Sequence, residues 1–161
     1  MTTCPSREGV GGIVAEDVVL RHLDVAYRLA RWRVQNDRVA EEVITESVRR
    51  AVLQTGSPAG AAHRAWFLRI VSGVCNERRH RTTPRFNGGA GQVDEIAAAL
   101  ADAISGLPDH LREVLVLREL EGLSYDELAA VIDVPRDAAK ARLSRARQAL
   151  TGVLATSAAG V

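Results

Sequence analysis

Apolar residues recur along most of this chain every three or four positions, which is the spacing of one helix face. From about Glu16, the residues Val19, Leu23, Ala26, Ala30 and Val34 fall on one side of a helix. Asn36-Asp37 interrupts the pattern and offers a cap for the next helix. That helix covers about 38–53, with Val39, Val43, Val48 and Val52 roughly on one side. QTGSPAG, residues 54–60, reads as a loop. A third helix covers about 61–80. Trp66, Ile70 and Gly73 share one of its faces, and Leu68, Val71 and Cys75 share the neighbouring one.

The run RTTPRFNGGAGQ, residues 81–92, then brings two Thr, a Pro and three Gly, the composition of a linker. Helical spacing resumes beyond it and fades after Leu154. No stretch alternates as a strand does, and no repeat is visible. The expected fold is all-α: two small helical domains joined by a flexible linker. The expected boundaries are a flexible arm over 1–14, a helical domain over 15–81, a linker over 82–92, a second helical domain over 93–154 and a tail over 155–161.

The second half holds the sharpest local signal. Ser124 and Glu127 have the spacing of a capping box, flanked by Leu123 and Leu128 where a hydrophobic staple packs. The helix they start, about 125–132, is short. Asp133-Val134-Pro135 breaks it, and Pro suits the first turn of the next helix, about 136–150. At 3.6 residues per turn, Ala139, Leu143, Ala146 and Leu150 form a narrow apolar stripe. Asp137, Lys140, Ala141, Ser144, Arg145 and Gln148 lie opposite, flanked by Arg136, Arg142 and Arg147. Small residues let a helix approach a groove floor. Cations reach base edges at the centre and phosphates at the rim. This is a helix-turn-helix, whose second helix enters the major groove. A solvated basic face on a helical bundle is the plainer alternative; the capping box, the Pro turn and the clean stripe favour DNA.

Net charge barely changes this picture. At +1 it announces no global basic field, so any nucleic-acid surface is local. Nearly all the cations are Arg, and Lys140 is the single Lys. Cys4 and Cys75 are far apart and make no metal-ligand pair. His22, His63, His80 and His110 are scattered, with no catalytic motif around them. No catalytic residue, metal or cofactor is expected. No apolar run is long enough to span a membrane, and the first residues lack the apolar core of a signal peptide. The expected location is the cytoplasm.

The segment LPDHLREVLVLRELEGLSYDELAAVIDVPRDAAKARLSRARQAL, residues 107–150, closely resembles region 4 of bacterial sigma factors, and the short two-domain length resembles their extracytoplasmic-function (ECF) group. Residues 27–51 and 63–81 resemble region 2 more weakly. The resemblance implies core RNA polymerase, promoter DNA and an anti-sigma factor as partners. It implies −35 contacts for Lys140, Ser144 and Arg145, with Arg136, Ala141, Arg142 and Arg147 beside them. It implies −10 contacts for Trp66, Leu68, Arg69 and Gly73, with Arg78, Arg79 and Arg81 adding charge for the backbone. Glu42, Thr45, Glu46 and Arg49 match the positions that grip the polymerase clamp.

The chain also departs from the family. Thr45 stands where Gln is usual, Val48 where an aromatic is, Leu68 where Tyr is frequent and Gly73 where Asn is. Capturing an unpaired base uses stacking platforms and hydrogen bonds to its edge. The leading reading is therefore a sigma factor directing promoter-specific initiation. The alternative is a sigma-like helix-turn-helix regulator that lacks independent promoter melting.

Overall fold

The structure, a computed structural model, describes residues 8–54, 62–79 and 95–159. Most of the 54–60 loop and the whole 82–92 linker lie outside the described residues. Seven α-helices and one π-helical turn account for nearly all the described residues, and no strand is found among them. The first half comprises α1 (Glu8–Val34), α2 (Asp37–Leu53) and α3 (His63–Arg79). The second comprises α4 (Glu95–Ser105), α5 (Asp109–Leu115), the π-helical turn Val116–Leu120, α6 (Tyr125–Ile132) and α7 (Arg136–Ala159).

Local chemistry accounts for most of these boundaries. Asn36 has extended backbone, and its side chain accepts from the Val39 amide at 3.1 Å to start α2. α1 begins at Glu8, eight residues before the periodicity turns helical, and so takes up residues 8–14 of the span expected as a loose arm; residues 1–7 lie outside the described residues. α7 reaches Ala159, through most of the span expected as a tail.

In the first half, Leu29, Val43, Phe67, Leu68, Val71 and Val74 are fully buried. The buried stripe of α2 is Ala40, Val43, Ser47 and Ala51, whereas Val52 is 38% exposed. Small residues on that stripe let α2 lie close to its neighbours, and the Ser47 hydroxyl is satisfied by the Val43 carbonyl at 2.7 Å. In the second half Val114, Val116, Leu117, Leu123, Leu128, Ala139, Leu143 and Ala146 form the core.

The two halves are not independent beads. Buried residues of both form one continuous cluster, and α3 packs on α6 while α1 packs on α5. Arg112 of α5 is buried and donates to the carbonyls of Ser105 at 2.8 Å, Leu107 at 2.7 Å and Trp32 at 3.1 Å. It thereby satisfies the ends of α4 and α1 together. Arg33 of α1 is the second buried cation. Its side chain is 2% exposed and pairs bidentately with Asp109, at 2.9 and 2.8 Å, and with Glu113. Two cations and two carboxylates balance across this seam. Burial works against the Arg33 charge, but Glu113 and Asp109 outweigh it and raise its pKa above the ordinary Arg value.

Candidate nucleic-acid interface

α6 starts as its sequence demands. The Glu127 amide donates to Ser124 Oγ at 3.2 Å, and the Ser124 amide donates to Glu127 Oε2 at 2.8 Å. Burial pushes the Glu127 carboxyl up, but hydrogen bonds from Arg64 and Ser124 prevail and hold it below the usual carboxylate range. Replacing Ser124 with Ala should therefore cost about 1 kcal/mol of stability. Urea unfolding followed by circular dichroism measures this, and an unchanged midpoint would count against the cap.

The turn after α6 depends on Asp133, which sits in the left-handed region at φ 55°. Asp and Asn tolerate that region better than most side chains. The Val134 amide closes back on the Ala129 carbonyl at 3.1 Å, and α7 follows directly after Pro135.

On α7, Ala139, Leu143 and Ala146 are buried, while Leu150 is only half-buried. Opposite them Arg136, Lys140, Ala141, Ser144, Arg145 and Arg147 are exposed, and Arg142 is half-exposed at the edge. The expected second-helix face is thus assembled on one side. Its cations are held differently. Arg147 pairs with Glu119 at 2.9 Å, Arg136 meets Asp126 at 3.4 Å, and Lys140 lies 4.0 Å from Asp137. Arg142 and Arg145 form no ion pair among the described residues. Lys140 also stands over the Tyr125 ring at 5.6 Å, and Arg118 covers the same ring at 4.5 Å. Sequence reasoning missed this Tyr125 platform. Its only local signal is an aromatic residue opening an otherwise polar helix start.

In the first half the expected residues separate. Trp66 is half-buried, while Arg69 and Gly73 are exposed; all three line a cavity of about 360 Å³ with Ile70, Arg50 and Gln54. Leu68 does not belong with them. It is fully buried beside Val71 and Cys75, so the expectation that it faces DNA is corrected. Phe67 is likewise core. The helical wheel explains this: Leu68 lies about 200° from Trp66, on the face turned inward. Arg78 is committed to Glu42 at 2.7 Å, which ties a residue expected at DNA to one expected at the clamp. The Arg79 side chain and Arg81 lie outside the described residues. Cys75 is buried and its thiol is pushed up to about 12, so it is chemically quiet.

Glu42 lies three and four residues before Thr45 and Glu46, which lie four and three before Arg49, so all four share the outer face of α2. Glu46 chelates Arg49, at 2.9 and 2.8 Å, and also accepts from Arg50 at 2.7 Å. Those hydrogen bonds hold its carboxyl down at about 2. Arg50 continues to Glu77 through two bonds of 2.7 Å and braces α2 against α3. No group of His, Cys, Asp and Glu among the described residues could hold a metal ion. No helix among them is long and apolar enough to cross a membrane.

Comparison with known proteins converges on one family. Residues 97–150 match the model of sigma-70 region 4. The RNA polymerase sigma-H factor of Pseudomonas aeruginosa is 44% identical over 61 residues, covering 38% of this chain and 32% of that protein. The ECF RNA polymerase sigma-E factor of Escherichia coli is 42% identical over 57 residues, covering 35% of this chain and 30% of that protein. The matched stretch thus spans about a third of these relatives' length. The fold is similar over much more. CnrH, solved in complex with the cytosolic domain of CnrY, superposes with a TM-score of 0.69 at 22% identity, covering 92% of each chain. The sigma factor RpoE of Bartonella quintana, solved with the anti-sigma factor NepR, gives 0.66 at 20% identity, covering 86% of this chain and 95% of the other. Residues 97–150 are thus those of a sigma-70 region 4, and nearly the whole chain shares the fold of these two solved proteins.

Proposed function

We propose that this chain binds core RNA polymerase and directs promoter-specific transcription initiation by reading −35 and −10 elements. The observation that carries this reading is the α7 face. Lys140, Ala141, Ser144 and Arg145 are exposed together, opposite the buried stripe of Ala139, Leu143 and Ala146. Small residues and long cations on one helix side suit a major groove. In this reading α7 holds the −35 element. Trp66, Arg69 and Gly73 meet the −10 element, with Arg78 and Arg79 on its backbone. Glu42, Thr45, Glu46 and Arg49 dock on the polymerase clamp. The cavity beside Trp66 has room for one nucleobase.

The chain performs no covalent chemistry itself, because the polymerase supplies it, and it works in the cytoplasm. An anti-sigma protein is the expected regulator. That expectation is supported by the similar fold of RpoE, whose structure holds the anti-sigma factor NepR.

One observation favours the second reading, a sigma-like regulator without independent melting. With Leu68 buried and Gly73 lacking a side chain, Trp66 is left with little help in capturing an unpaired base. Run-off transcription with purified core polymerase and a promoter library separates the two. A chain-dependent transcript from a discrete motif supports the sigma factor. Core binding and duplex binding without a transcript support the regulator.

The clamp assignment has its own test. Replacing Glu42 with Gln and Arg49 with Ala together should weaken core binding only about fivefold, because these are exposed charges. The circular-dichroism melt should stay close to that of the parent. Unchanged polymerase affinity in a pull-down titration would remove α2 from the clamp.

A further inference from the structure

Basic side chains of α1 and α3 converge on a cavity that shares no residue with the surfaces read above for DNA and the clamp. On α1, Asp17 and Val18 lie four residues before Arg21 and His22, so the four share one patch of the helix. α3 opens with His63 and Arg64, which line the same cavity as that patch. Glu127 of α6 completes the lining. The cavity measures about 550 Å³, larger than the one beside Trp66 and of the size that holds small ligands.

Several donors around it have no acceptor. Arg64 gives Nε and Nη2 to Glu127, at 3.0 and 2.8 Å, and Arg21 gives Nη2 to Asp17 at 2.9 Å. Nη1 of Arg64, and Nε and Nη1 of Arg21, meet no acceptor among the described residues. The His22 and His63 imidazoles are half-buried, and no hydrogen bond or ion pair among the described residues holds either of them. The lining does not form a metal site, and two guanidiniums would repel a cation.

Charge points the same way. With both imidazoles neutral, Arg21 and Arg64 balance Asp17 and Glu127. Protonating both adds two positive charges, which matches an anion carrying at least two negative ones. Burial, then Arg64, His63 and Arg21, lower the His22 pKa, and Glu127 opposes them. An anion in the cavity would act against that shift, because it stabilises the imidazolium. Phosphate oxygens suit the guanidinium fork. Donors stand on both helices, and the volume exceeds what one phosphate group fills, so linked phosphates use the cavity better than a single one.

We propose that the cavity between α1 and the start of α3 binds a small polyphosphate, free or carried by a nucleotide, with Arg21 and Arg64 donating to its oxygens and His22 and His63 closing on it as imidazoliums. The site stands apart from promoter reading, so its test and that of the proposed function are independent.

Proton–carbon NMR of the full chain reads each imidazole directly, with the four His assigned from single His→Gln variants. The probe is inorganic pyrophosphate, titrated at constant ionic strength with sodium chloride making up the balance. His22 and His63 should move along one saturable curve, and the pKa of each should rise on saturation. His110, exposed on α5, should stay in place. Arg21→Ala with His63→Gln should weaken binding, followed at His22, by about tenfold. Arg64 is kept because it holds the capping carboxylate of α6. ATP is the second probe. An affinity below that of pyrophosphate identifies a free polyphosphate as the ligand, and an equal or higher one identifies a nucleotide; both support the site.

No shift at either imidazole would overturn the proposal, as would an unchanged affinity in the double variant. Unsaturated shifts shared by His110 would also overturn it, since they report diffuse attraction. A 20-nucleotide single strand that moves both imidazoles at the same phosphate concentration would reassign the cavity to a DNA backbone surface and sink the site. Should the double variant fail to fold, Arg21→Gln alone changes an exposed side chain and should still weaken binding about threefold. No loss there overturns the proposal.

Discussion

Replacing Arg33 with Met should remove about 3–5 kcal/mol of stability from the packed chain, because it leaves Asp109 and Glu113 facing a buried seam without their cation. Met fills much of the same volume, so the loss is electrostatic rather than a cavity. The network joins α1, α3 and α5 and so ties the two halves together. The expected signature is therefore a split transition as well as a lower one. Both Trp residues, Trp32 and Trp66, lie in the first half. Tryptophan fluorescence then follows the first half alone, while far-ultraviolet circular dichroism follows both. In the parent the two probes should coincide in urea, as they do in a single cooperative transition. In the Arg33 variant they should separate. Adding Glu113→Gln to it should recover part of the loss, with a coupling of about 0.5–3 kcal/mol. Coincident probes and an unchanged midpoint in the variant would show that the seam contributes nothing to cooperativity.

Arg33 also marks the boundary of what could be read in advance. The helix-turn-helix was legible because its signals are local: Ser124 and Glu127 three residues apart, Pro135 after a short helix, and Ala139, Leu143 and Ala146 on one stripe. The seam has no such signal. Its pairs join residues 63, 76, 80 and 93 positions apart, and each partner alone reads as a solvated helix charge. The helix ends were hidden for a related reason. Gly11-Gly12 reads as a loose arm, yet α1 runs through it, which propensity alone does not demand. The five-residue π-helical turn at Val116–Leu120 left no mark in the spacing either.

Leu68 shows two kinds of reading in conflict. The helical wheel groups it with Val71 and Cys75, all of which are buried. The family resemblance puts it toward DNA. The wheel prevailed, because a Leu with neighbours at three and seven residues on an apolar face has more to gain from burial than from water.

The second large effect is expected on α7. Replacing Arg145 with Ala should weaken binding to a −35 duplex by about 1–3 kcal/mol, roughly 5- to 150-fold, and relax the choice of base at one position. Arg145 is singled out by its state. Arg147 is committed to Glu119, Arg136 to Asp126, and Lys140 is steadied over Tyr125. Arg145 forms no ion pair among the described residues and sits next to Ser144, whose small side chain opens the approach to a groove floor. A cation with no partner to surrender loses least on meeting a base edge, so its truncation carries the full contact. Its fold cost is small because the side chain packs against nothing in the core. Anisotropy titrations at fixed salt, on the cognate duplex and on a scrambled one, separate base reading from charge. A loss confined to the cognate duplex identifies a base contact. An equal loss on both, with a shallower salt dependence, places Arg145 on the phosphates and moves base reading to Lys140 and Ser144.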